Sequence, residues 1–197
     1  MKQQTKRQQQ AYESKQKLFA GALYLFATRQ YEDVTVQDIC AQSDMSVGAF
    51  YHHFKNKESI LDEGYRLFDE RLKEKWDRAH LEDNLDIIRF LVEEQLKSMA
   101  SMGHLAAAQY FKNQLTSSEK YILNPDRFFF RAIRDAVQAE KNSGRLIGDT
   151  YTIVEDILSI TRGIIYDWCL HEDTYSLKDK GRRGLDMVLN YYVEGGK

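Results

Sequence analysis

Apolar residues recur every three or four positions along most of the chain, and no stretch alternates apolar with polar over the length of a strand. That periodicity predicts a protein built almost wholly of helices. Leu18, Phe19, Ala22, Leu23 and Phe26 stripe a first helix over 12–29. Val36, Ile39 and Cys40 stripe a short second helix, and Val47, Phe50, Tyr51 and Phe54 a short third. A longer fourth, over 58–79, repeats Ile60, Leu61, Tyr65, Phe68, Leu72 and Trp76. Beyond it the pattern predicts helices over 84–100, from the break at Gly103 to Leu115, and over 126–142, 150–170 and 176–194. Gly144 has the place of a C-cap, and the single proline, Pro125, falls in the loop before the seventh helix. The expected fold is all-α, with about nine helices in two packed units. Its expected divisions are a basic disordered arm over 1–11, a three-helix unit over 12–57, a connecting helix over 58–79 and a larger helical domain over 80–197.

The most informative stretch runs from Thr35 to Lys57. Thr35 is a good N-cap, and Asp38 three residues on makes an acidic capping box. Ser43-Asp44-Met45 forms a turn, and Ser46 is placed to cap the next helix. Two short helices about a three-residue turn, with small residues at the tip of the second, suit a helix-turn-helix that enters the major groove.

The run Ser46-Val47-Gly48-Ala49-Phe50-Tyr51-His52-His53-Phe54-Lys55-Asn56-Lys57-Glu58 resembles the recognition-helix signature of the TetR/AcrR family of bacterial transcriptional regulators. The resemblance extends back through Thr35–Ile39 and covers residues 12–61. One departure is Asp44, where the family usually has glycine; Asp tolerates left-handed backbone better than most residues, so the turn is expected to persist. The resemblance implies phosphate contacts from Thr35, Ser46 and Lys57, and base-edge contacts from Val47, Gly48 and Ala49. Tyr51 and His52 would meet phosphate or bases, and Gln37 and His53 lie where they would reach outward. The tip offers no Arg, Asn or Gln to read a purine bidentately, so discrimination is expected to lean on apolar contacts, the N-terminal arm, Gln37 or Gln42, and DNA shape.

Composition changes this picture little, whereas charge distribution sharpens it. The net charge of -2 does not by itself suggest a nucleic-acid binder. Residues 1–20, however, hold five Lys/Arg against one Asp/Glu, so positive charge gathers next to the helix-turn-helix. No apolar run reaches the length of a membrane span, the opening residues lack the apolar core of an export signal, and Cys40 and Cys169 sit within apolar helical patterns. A cytoplasmic protein with free thiols is expected.

The larger domain carries no phosphate loop, nucleophile elbow, Cys/His cluster or paired carboxylates, so no enzyme, metal or cofactor is expected. In the resembling family such a domain holds a small-molecule effector, and Met99, Met102, His104, Tyr110, Phe111, Phe129 and Trp168 are candidates for its pocket. Their character points to a hydrophobic or aromatic effector; packing in the ordinary core is the competing role for each. The eighth helix is apolar over more than one face. The resemblance implies a homodimer through the last two helices, with Ile157, Ile164, Trp168, Leu185, Val188, Leu189 and Tyr192 as candidate interface residues. The expected function is therefore a homodimeric, ligand-responsive repressor on a pseudo-palindromic DNA operator. An effector-independent DNA-binding or interaction module stays open, as, more distantly, does a small-molecule carrier or enzyme.

Overall fold

A computed structural model of the chain describes residues 6–193. Among the described residues there are nine α-helices and no strand: α1 (Lys6–Thr28), α2 (Val36–Ser43), α3 (Val47–His53), α4 (Glu58–Ala79), α5 (Asn84–Met102), α6 (His104–Thr116), α7 (Phe128–Asn142), α8 (Thr150–Leu170) and α9 (Leu177–Val193). Short 3-10 turns occupy Tyr31–Asp33 and Tyr121–Leu123. The order and number agree with the apolar periodicity. One boundary is corrected: α1 begins at Lys6, so residues 6–11 of the expected disordered arm are helical, and the rest of that arm lies outside the described residues. The polar run Lys6–Gln10 lacks an apolar stripe, and it extends a helix already nucleated by the buried positions from Leu18 onward.

Two apolar cores organise the molecule. The first joins Leu18, Ala22 and Phe26 of α1 to Ile39 of α2, Phe50 of α3 and Ile60, Leu61 and Tyr65 of α4. The second gathers Leu72 of α4 with α5, α7, α8 and α9 around Leu91, Ile133, Ile157 and Leu189. The fourth helix therefore spans both, as its long periodicity predicts. α6 was expected to belong wholly to the larger domain. Instead its two faces divide: Ala106 and Tyr110 enter the first core and Ala107 the second. Asn113 Nδ2 of α6 donates to Asp62 of α4 at 2.9 Å, and Lys112 pairs with Glu32 at 2.5 Å. The body thus grips the three-helix unit through α6 as well as through α4.

Local signals fix the ends of these elements. Gly103 (φ 82°) lets α5 turn directly into α6, and Gly144 (φ 80°) follows α7 in the left-handed region. Asn56 Oδ1 accepts from the Ser59 amide at 3.0 Å at the start of α4. Asp83 and Asp149 cap α5 and α8 by the same means.

Candidate nucleic-acid interface and interdomain cleft

Hydrogen bonds between near neighbours shape the start of α2. The Thr35 hydroxyl accepts from the Asp38 amide at 3.1 Å, and the Thr35 amide donates to the Asp38 carboxylate at 2.8 Å. The Thr35 hydroxyl also donates to that carboxylate at 2.7 Å. These bonds, with Arg29 3.6 Å away, hold the Asp38 carboxyl below the usual carboxylate range. The hydroxyl is thus committed within the box, and only amides of the first turn remain for a phosphate.

Asp44 adopts φ 52°, ψ 48°, the left-handed conformation the turn demands, and the Met45 amide donates to Cys40 O at 2.9 Å. α1 lies close against this corner: a Cβ on Gly21 would stand 2.2 Å from the Ser43 hydroxyl.

In α3 the Ser46 hydroxyl accepts from the Ala49 amide at 3.1 Å. The apolar positions then divide between core and solvent, with Phe54 following α3 as its extended C-cap. Phe50 and Phe54 are buried, whereas Val47 and Tyr51 are 39% and 57% exposed. Gly48 and His52 are exposed beside them, with Ala49 half-buried at the edge. Gln37 of α2 and Thr35 are also exposed. His53 is half-buried, and burial, then the neighbouring His52 and Lys15, push its pKa below that of a free imidazole. It is the less available of the two histidines for an anion.

Lys57 is the residue whose place differs most from expectation. Its ammonium donates to Tyr31 O at 2.6 Å and Val34 O at 2.9 Å, and lies 4.0 Å from the Tyr31 ring centroid. Two of its three donors therefore close the corner between α1 and α2, leaving one for any phosphate.

Between the two cores, α1, α4, α5 and α6 enclose a cleft of about 490 Å³. Three of the predicted pocket residues, Met99, Met102 and Tyr110, line it. The other four do not. Phe129 and Trp168 are buried in the second core, and Phe111 packs half-buried against it. His104, at the start of α6, faces Asp173 at 3.3 Å near the surface. Sequence reasoning missed Phe19 and Leu23 of α1 and Arg71 of α4, which form part of the wall. Nothing local marks them, because a wall shared between two cores exists only once the helices have docked.

The candidate dimer residues are corrected in the same way. Ile157, Ile164, Trp168, Leu185, Leu189 and Tyr192 are each buried within their own chain, and Val188 is half-buried. They are the inward rows of α8 and α9, which pack on each other; a Cβ on Gly184 would lie 2.4 Å from Ile164. The outward rows carry Ile160, Tyr166 and Leu170 of α8 and Met187 and Tyr191 of α9, all exposed.

Among the described residues no group of three His, Cys, Asp or Glu is placed to hold a metal ion, and no helix is long and apolar enough to cross a membrane. Both cysteines are free; burial pushes the Cys169 thiol up to about 11.

A capped two-helix corner on a three-helix core, carried by a helical body, defines a helix-turn-helix protein. Residues 18–64 match the model for bacterial regulatory proteins of the tetR family. The transposon Tn10 TetC protein of Escherichia coli is 39% identical over 51 residues, which span 26% of this chain and 26% of that protein. The transcriptional repressor KstR2 of Rhodococcus jostii is 34% identical over 89 residues, 45% of this chain and 38% of its own length. The chain thus spans well under half the length of these curated relatives. The fatty acid degradation regulator FadR of Bacillus halodurans shares the whole fold, with a TM-score of 0.68 at 17% identity over 88% of this chain and 97% of that one. FadR of Thermus thermophilus, solved in complex with lauroyl-CoA, has a TM-score of 0.61 at 18% identity, covering 89% of this chain and 93% of that one.

Proposed function

We propose that this protein is a sequence-specific DNA-binding transcriptional regulator, a repressor that works as a homodimer and is released by a small molecule. The observation that carries the reading is the split of α3. Phe50 and, just past its end, Phe54 anchor the helix, while Val47, Gly48, Tyr51 and His52 face solvent together. An exposed valine and tyrosine beside a glycine, on a helix capped at its N-terminus, suit thymine methyls and backbone phosphates in a major groove. Thr35, Gln37, Ser46 and Ala49 border that face and would position it, with His53 and the remaining donor of Lys57 at its margin.

Homodimerisation would use the outward row Ile160, Tyr166, Leu170, Met187 and Tyr191. Two copies would then present their α3 helices to half-sites about 34–36 Å apart. The cleft beside α4 is the place for an effector, in line with the lauroyl-CoA held by one protein of this fold. An effector releases DNA only by the margin with which it prefers the non-binding conformer.

Fluorescence anisotropy with DNA from the region upstream of the gene, at two salt concentrations, tests the reading. Tight, salt-dependent binding weakened by Tyr51→Ala without loss of folding is the expected result. Affinity no better than for random DNA across that region, and no fragment recovered by genome-wide selection, would overturn it.

A further inference from the structure

The cleft has a chemical polarity that narrows what fits it. Phe19, Leu23, Phe68, Met99 and Met102 supply apolar wall. At the floor, the Tyr110 hydroxyl is buried, with its residue only 3% exposed, and has no hydrogen-bond partner. It rests against Gly64 of α4, where a Cβ would stand 1.7 Å from the hydroxyl oxygen. Gln95 Oε1, from α5, is a second buried polar atom of the lining without a partner. A buried hydroxyl left unpaired is a costly arrangement that a ligand group relieves.

The charges around the cleft are lopsided. Arg71, Lys75, Lys97 and Arg127 line it against one carboxylate, Glu94. Lys75 and Lys97 both grip Glu94, Lys97 at 2.9 Å. Arg127 holds Asp69 with two nitrogens, at 2.9 and 3.0 Å. Arg71 has no carboxylate within ion-pair distance among the described residues, only a 3.4 Å contact with Gln16 Oε1. It lies one helical turn before Lys75 on the same face of α4. Its charge also bears on the cleft floor, opposing part of the rise that burial imposes on the Tyr110 hydroxyl.

We propose that the cleft binds a small organic anion with an apolar body, its charge taken by Arg71 and shared with Lys75, and a hydrogen-bonding group near Tyr110. A cationic ligand would meet the unpaired Arg71 charge, and a neutral one would gain no ion pair from it. Lys75–Glu94 is an ion pair joining the far half of α4 to α5. An anion beside Lys75 competes with Glu94 for that ammonium and loosens α4 from α5 at the end remote from the reading unit. This second step rests on the regulator reading, whereas the binding step does not.

Three probes of one shape separate the possibilities: 4-phenylbutyrate, 4-phenylbutyramide and 4-phenylbutylamine, titrated calorimetrically into the full chain. The carboxylate is expected to bind about tenfold or more tighter than the amide, in line with the greater strength of hydrogen bonds to charged groups. The amine is expected to bind weakest. Arg71→Gln should abolish the preference for carboxylate over amide while leaving amide binding unchanged, and Tyr110→Phe should weaken carboxylate and amide alike. Equal affinity for carboxylate and amide, a preference that survives Arg71→Gln, or no binding of the carboxylate at millimolar concentration would each overturn the anion site. Adding 4-phenylbutyrate to a preformed protein–DNA complex tests the second step. If the probe binds and DNA is retained, the loosening of α4 is wrong and the anion site stands. Failure of the protein to bind any DNA would sink the regulator reading alone.

Discussion

The two cores are both apolar, and they differ in the polar interactions that supplement them. The reading unit adds to its apolar core the Thr35–Asp38 box, the Ser46 cap, the Asn56–Ser59 pair and the left-handed Asp44, with Lys57 closing its corner on the carbonyls of Tyr31 and Val34. The larger body depends on apolar burial between helices far apart in sequence. It adds buried carboxylates such as Glu94 and Glu140, answered from other helices or loops by Lys75 and Arg145. The reading unit therefore has a geometry set by short segments and faces solvent with a fixed shape. The body encloses a cleft that depends on how its helices dock, and docking is what a ligand can shift.

The largest effect that distinguishes anchor from reading face lies within one helix. Phe50→Ala removes a fully buried ring and is expected to cost about 3–5 kcal/mol, unfolding the reading unit before the body in urea followed by hydrogen exchange. Its neighbour Tyr51 is 57% exposed, and Tyr51→Ala should leave stability within about 0.5 kcal/mol while weakening DNA binding. If Tyr51→Ala destabilised the fold as much as Phe50→Ala, the division of α3 between core and solvent would be wrong.

Lys57 comes next. Lys57→Met deletes two charge-assisted bonds to the carbonyls of Tyr31 and Val34 and should cost about 1.5–3 kcal/mol. Lost DNA affinity in that variant would mix a missing phosphate contact with a loosened corner. Lys57→Arg with unchanged stability but weakened binding would instead assign the residue chiefly to DNA.

What was legible in the sequence follows the same division. The Thr35 cap, the turn at Asp44, the break at Gly103 and nine helical stripes are encoded within a few residues, and each was read from its own segment. Periodicity says that a row is apolar and not what it packs against. Ile157, Leu185 and Leu189 were therefore expected at a partner's surface, although they fill their own chain's core. Tyr110 and Ala106 entered the first core through a helix assigned to the second. Arg71 looked like any exposed cation on α4, and its place in the lining of the cleft is what distinguishes it.

A smaller effect tests the body through pH. Burial pushes the Glu94 carboxyl up, but hydrogen bonds from Lys75 and Lys97 outweigh it and leave the group below its ordinary 4.5. A lowered folded pKa means the unfolded chain binds the proton more readily. The stabilisation is present above pH 4.5 and disappears as pH falls through the folded value. Denaturant midpoints measured between pH 7 and 3 should fall less steeply in Glu94→Gln than in wild type. Parallel curves would mean that the pair contributes nothing net.

The smallest effect bears on the turn of the reading unit. Asp44 holds φ 52°, ψ 48°, where a Cβ is strained and glycine is not. Replacing it with glycine removes that strain but gives the unfolded chain more freedom to lose. At a left-handed position the first term is the larger, so Asp44→Gly should stabilise the reading unit by about 0.5–1 kcal/mol. Asp44→Ala keeps the Cβ, loses the local tolerance of Asp and should destabilise by a similar amount. DNA affinity should stay level in Asp44→Gly, because the change leaves Val47, Tyr51 and the Ser46 cap in place. A drop in affinity with a gain in stability would mean that Asp44 itself sets the angle between α2 and α3, and that the turn does more than join them.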